Sequence, residues 1–290
     1  MRAAVHSFRC VALVLVACAT VVTGGAPAQA ISWTGAVQGS SGDYGFGERA
    51  SSLWITNGLT LSAGRLRVSA SLPVIMQSNP WVTQVGAGRF PYGGPRRGAA
   101  DTVSMHAGPG HGGGGGAPAG AATGDFDTIG IGDPLMFATL ELARTVRGNV
   151  SLSATTGVKA PVGSVSQGFS TGEWDYGGGL ALSAGNGRAL LLLDAMYWQL
   201  GDMPRLELRD GVSYGATIGT FVGRRRVSLL ASILGSSRVT DAVGAPVQLG
   251  VAVGYLSSAR RSVNVGVYAG LTQSAPDISL ALGWGVPLSR

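Results

Sequence analysis

Few side chains in this sequence could do chemistry, and they are spread thinly. Inside the long apolar runs stand Asp133, Glu141, Lys159 and Asp194, and Lys159 is the only lysine in the chain. The histidines beyond the first thirty residues, His106 and His111, lie with Met105 in a glycine-rich stretch that includes HAGPGHGGGGGAPAG. They have neither tight ligand spacing nor an acidic partner, so no metal site is expected there. Both cysteines, Cys10 and Cys18, fall in the apolar start of the chain. Disulfides and thiolate chemistry drop out once that start is removed. A barrel enzyme such as an outer-membrane phospholipase needs a strand-borne histidine to activate its serine, and neither His106 nor His111 is so placed. The residues thus predict no catalytic site and no cofactor.

The elements that hold these groups follow from composition and periodicity. The chain has 290 residues, 45% of them hydrophobic, only 12% charged, and 48 glycines. A soluble chain carries about 25% charged residues, roughly twice this fraction. Beyond the leader, no segment approaches the roughly 20 consecutive apolar residues of a membrane helix. High hydropathy without such a helix, together with period-two alternation, predicts a transmembrane β-barrel. The formal charge of +6 comes from arginines scattered over turns, which excludes a nucleic-acid surface.

Residues 1–30 read as a signal peptide: Arg2 and Arg9, then CVALVLVACATVV, then the small-x-small site Ala28-Gln29-Ala30. A second reading is lipidation at Cys18, since Leu15-Val16-Ala17-Cys18 fits a lipoprotein box, although the segment after Cys18 stays apolar. Residues 31–290 form the barrel, with a long glycine-rich extracellular loop over 79–126.

Strands are predicted at Leu53–Ser62, Leu66–Met76, Ile129–Leu142, Val150–Val162, Tyr176–Ala184 and Ala189–Leu200. They continue at Leu208–Phe221, Val227–Gly235, Val247–Leu256, Val263–Thr272 and Ile278–Leu288. Short and long connections alternate, as in an up-and-down antiparallel meander. Delivery of the N-terminus to the periplasm requires one earlier ascending strand, for which Ile31–Ser40 is the candidate. The competing reading makes Ile31–Phe46 a plug. With that strand the count is about twelve, an even number that closes without an edge.

In the last strand Ile278, Leu280, Leu282, Trp284, Val286 and Leu288 oppose Ser279, Ala281, Gly283 and Gly285. A row of glycines leaves voids in a packed core, so the small face borders a hollow and the bulky face meets lipid. Asp133, Glu141, Lys159 and Asp194 have the parity opposite to the greasy set and so face inward, because a basic residue turned to lipid at mid-depth costs about 2–4 kcal/mol. Two roles stay open for them. They form one charged wall that orients a solute, or they pair with and satisfy one another. The glycine-rich loop reads as an extracellular flap, with partial folding into the pore as a further expectation.

The runs GIGDP (Gly130–Pro134), VKAPVG (Val158–Gly163) and STGEWDYGGGL (Ser170–Leu180) resemble the outer-membrane transporters grouped under the MetA pathway of phenol degradation. The layout of most of the chain is similar, and the specific motifs cover about fifty residues. Gly130, Gly132, Asp133, Lys159, Pro161, Gly163, Gly172 and Asp175 match the family pattern, which adds Asp175 to the pore candidates. The resemblance implies an outer-membrane barrel passing small, often aromatic or hydrophobic, compounds. One departure is the ending GWGVPLSR, where such barrels usually carry a terminal aromatic residue that marks them for assembly.

The expectation is a passive channel in the outer membrane of a Gram-negative-type bacterium. Its partners would be membrane lipid, a small organic solute and the outer-membrane assembly machinery. The alternative is a structural or adhesive barrel whose lumen conducts nothing.

Overall fold

The computed structural model describes residues 29–45, 48–79, 82–91, 126–202, 208–222, 226–241, 243–257 and 259–288. Its elements are β1 (Gln29–Gly42), β2 (Ala50–Ala63), β3 (Leu66–Gln77), β4 (Val82–Val85), β5 (Gly88–Pro91), β6 (Thr128–Ile131), β7 (Leu135–Arg144) and β8 (Val150–Lys159). They continue with β9 (Asp175–Gly185), β10 (Ala189–Gln199), β11 (Gly211–Val222), β12 (Val227–Ser236), β13 (Val247–Leu256), β14 (Ser262–Gly270) and β15 (Ile278–Pro287). All except β4 and β5 belong to one antiparallel sheet. That sheet closes on itself, because β1 pairs with β2 on one side and β15 on the other. Ile31–Ser40 is therefore a wall strand and not a plug.

β6 and β7 both pair with β3, so they occupy one position in the wall, and the barrel has twelve strands. The interruption falls at Gly132-Asp133-Pro134, where a single strand over Ile129–Leu142 was expected. Proline lacks the N–H a ladder needs, and a strand interior tolerates it only at an edge or irregularity. Gly132 N still donates to Pro73 O at 2.9 Å, whereas Ala160 N turns to Pro134 O at 3.1 Å.

The alternation sets the two faces. Val251, Val253, Val265, Leu280 and Ile218 point outward and are exposed, a surface suited to hydrocarbon. Inward lie Gly250, Ala252, Gly254, Gly266, Ala281 and Gly283. The inner wall is not uniformly small. Leu230 covers Gly219 from the neighbouring strand, and Leu192 and Leu234 share the inward parity. At one rim β2 joins β3, β7 joins β8, β9 joins β10, β11 joins β12 and β13 joins β14 through short connections. The opposite rim carries the long connections.

Segment 79–126 is not wholly a loop, since its start forms the β4–β5 hairpin. Gly86 opens the two-residue turn with φ +53°, the left-handed geometry such a turn demands and glycine supplies. Residues 1–28 with Cys10 and Cys18, the glycine run with Met105, His106 and His111, and Ser289–Arg290 lie outside the described residues.

Candidate functional site

The β4–β5 hairpin folds inside the barrel at the long-loop rim and bridges opposite walls. Val85 and Phe90 pack with Trp198, Leu200, Leu208, Val239 and Val243, backed by Leu135, Phe137 and Met196. Trp198 meets Phe137 edge-on at 6.2 Å and donates through Nε1 to Ser213 Oγ at 3.2 Å. On the other side Val82 contacts Tyr44 and Ala50. Burial raises the Tyr44 phenol above its ordinary range, against a hydrogen bond with Ser40 and the charge of Arg89. The hairpin tip at Ala87 and Gly88 is exposed.

Lys159 ends β8 directly beside this hairpin. Its ammonium lies 3.2 Å from Asp133 Oδ2 and 3.0 Å from Asp175 Oδ2, and all three side chains are fully buried. It also donates to Thr171 Oγ1 at 2.7 Å and to the carbonyl of Gln84 at 3.3 Å. One cation thus ties together the break between β6 and β7, the β8–β9 connection, the start of β9 and the hairpin. The two carboxylates exceed one ammonium, and neutral donors supply the balance. Asp133 accepts from Val162 N and Gly163 N at 2.9 Å each and from Ser170 Oγ at 2.8 Å. Asp175 accepts from Gly86 N at 2.7 Å and Gly201 N at 3.0 Å. A buried charge set of this kind persists only when nearly every lone pair and proton is used, as here.

The motif residues build the surroundings of this cluster. Pro161 ends the β8 ladder and turns the next two amides onto Asp133. A side chain at Gly130 would collide with the ring of Phe169, itself fully buried against Ile75 and Trp54. At Gly132 it would strike Ile75, and at Gly163 it would meet the Ile131 carbonyl oxygen at 2.9 Å. Gly172 holds φ +82° beside Val165.

Asp194 and Glu141 stand apart from the cluster. Asp194 faces the lumen from mid-strand in β10, is exposed, and lies over Gly215. Glu141 sits near the short-turn rim and pairs with Arg144, whose side chain is 56% exposed. Sequence reasoning missed the hairpin, with Gly86, Arg89 and Phe90, as well as Phe169, Ser170 and Thr171. The signal that could have found the hairpin is Val85-Gly86-Ala87-Gly88, a glycine turn between short apolar runs.

A twelve-stranded closed antiparallel barrel with an inward-folded hairpin at one rim is the class of structure defined here. No family model matches the sequence, and no curated protein matches it. Among solved structures, the COG4313 outer membrane channel from Pseudomonas putida F1 superposes with a TM-score of 0.61 at 15% identity, covering 90% of this chain and 96% of that one. The KdgM porin in complex with disordered oligogalacturonate gives 0.42 at 10% identity, covering 90% and 99%. Outer membrane phospholipase A from Escherichia coli gives 0.39 at 13% identity, covering 89% and 92%. The first likeness establishes the fold, and the weaker two add no argument.

Proposed function

We propose that this protein is an outer-membrane channel through which small organic solutes diffuse passively, constricted at the long-loop rim by the β4–β5 hairpin. The observation that carries the proposal is the inner wall. From β13 through β15 it is built largely of glycine, alanine, serine and asparagine, with the ring of Tyr268 laid over Gly250 and Gly266, and these side chains leave the interior beside the hairpin incompletely filled. The outer wall is mostly apolar, as a lipid-facing barrel requires, with Asn57 in β2 an exposed exception. The likeness to a known outer membrane channel supports the reading, and the motif resemblance favours aromatic or hydrophobic solutes. In this reading a signal peptide delivers the chain across the inner membrane and the assembly machinery inserts it.

The buried Lys159 cluster favours a second reading, a structural barrel that the hairpin keeps shut. Planar-bilayer recording separates the two. The full chain is expected to give small, stable currents, and a variant lacking residues 82–91 currents several-fold larger. Silence from both, with folding verified by heat-modifiable migration on a gel, would leave the structural barrel as the better account.

A further inference from the structure

Arg89 leaves β5 beside the β1–β2 wall, and its partners there are all neutral. Nη2 donates to Gln38 Oε1 at 2.9 Å, and Nη1 reaches Ser40 Oγ at 3.4 Å. The guanidinium carbon sits 4.3 Å from the centroid of the Trp54 ring. Arg89 takes part in none of the ion pairs among the described residues. A guanidinium carries a planar fork of five N–H donors, and the neutral oxygens of Gln38 and Ser40 engage two of them here. The residue as a whole is half-buried.

Two further polar atoms on this wall are buried and have no hydrogen-bond partner among the described residues: Ser279 Oγ and Trp54 Nε1. Ser279 is 1% exposed and Trp54 5%. The register sets Ser279 beside Ser40, Ser40 beside Ser52, and Gln38 beside Trp54, so Ser279 and Trp54 flank β1 from its two sides. Unpartnered buried polar atoms carry a desolvation cost that a bound ligand relieves. Donors gathered around a cation without a counter-charge call for an anion, and the planar fork matches a carboxylate in two parallel hydrogen bonds.

We propose that Arg89, with Ser279 and Trp54, forms a binding site for a small carboxylate-bearing solute beside the hairpin. Its role in uptake rests on the channel reading, while its ability to bind does not. The carboxylate replaces the missing counter-charge of Arg89 and takes up the free donors of Ser279 and Trp54. The hairpin then both narrows the lumen and presents the group that selects what enters it.

The test uses the full chain folded in detergent, titrated with sodium benzoate and separately with neutral benzyl alcohol, followed by tryptophan fluorescence and calorimetry. Saturable benzoate binding without matching benzyl alcohol binding is expected. Arg89→Gln should weaken benzoate by about tenfold or more, the worth of one charge-assisted hydrogen bond. Arg89→Lys should keep part of the affinity, and Ser279→Ala should lose a few-fold. Ser279→Ala and Arg89→Lys keep the test sharp should Arg89→Gln fail to migrate as a folded barrel. The proposal is overturned if wild-type protein shows no saturable benzoate binding, if the two probes bind alike, or if the variants bind benzoate as wild type does. Benzoate binding without any conductance would defeat the channel reading and leave this site standing. Conductance without benzoate binding would do the reverse.

Discussion

Two basic residues meet the same hairpin from different sides. Lys159 is sealed at 0% side-chain exposure between two carboxylates, a hydroxyl and a carbonyl. Arg89 is half-buried and faces a glutamine, a serine and an indole ring. A sealed ammonium has nothing left to offer a solute, so its effect is mechanical: it fixes the hairpin to the wall. A guanidinium with no counter-charge among the described residues is fitted for recognition. The difference teaches that charge inside a barrel has to be judged by its unused valence, not by its position alone.

Replacing each residue tests the contrast, and the largest effect is expected at Lys159. Lys159→Met leaves Asp133 and Asp175 facing each other without a cation, a loss of about 3–5 kcal/mol. Thermal melting followed by circular dichroism should show it, and adding Asp175→Asn should restore part of the loss. If Lys159→Met melted as wild type does, the fixing role would fail. Next comes Gly86→Ala. Its new methyl must adopt φ +53° at about 1–2 kcal/mol and would lie 2.8 Å from the Trp198 ring. That substitution should loosen the hairpin and raise conductance while the barrel stays closed. Arg89→Gln should cost about 1 kcal/mol, since the hydrogen bonds it gives up go to neutral oxygens at the lumen. The same melting curve measures it, and a loss as large as that at Lys159 would erase the distinction. The smallest effect belongs to Glu141→Gln, whose exposed pairing with Arg144 should leave the melting curve unmoved.

Much of the wall could be read from the residues, because each strand has one face in lipid and one toward the lumen. The run from Val247 to Leu271 shows that beat, with a break at Arg260 and Arg261, and it forms β13 and β14. Where both faces are covered the beat disappears. Val82, Thr83, Gln84 and Val85 are all buried, so their order carries no two-faced pattern and only the glycine turn after them points to a hairpin. The interruption at Asp133-Pro134 left a trace in the order of residues: the outward set shifts parity from Ile129 and Ile131 to Met136 and Leu140, which one unbroken strand cannot do. Within the candidate site, the residue types and inward parity of Asp133 and Lys159 were legible. Their mutual burial was not, because it depends on Phe169, Thr171 and Gly86 arriving from three separate connections.

The seam between β1 and β15 sets Ser32 beside Pro287 and Ser41 beside Ile278, so the wall is completed by the two ends of the sequence. Until those ends meet, one row of amides and carbonyls at each margin of the curved sheet lacks a partner, and hydrocarbon offers none. The ring must therefore join as a late event that needs nearly the whole chain in place. A chain cut short before Ile278 therefore gives not a narrower closed barrel but an open sheet with two unpaired margins.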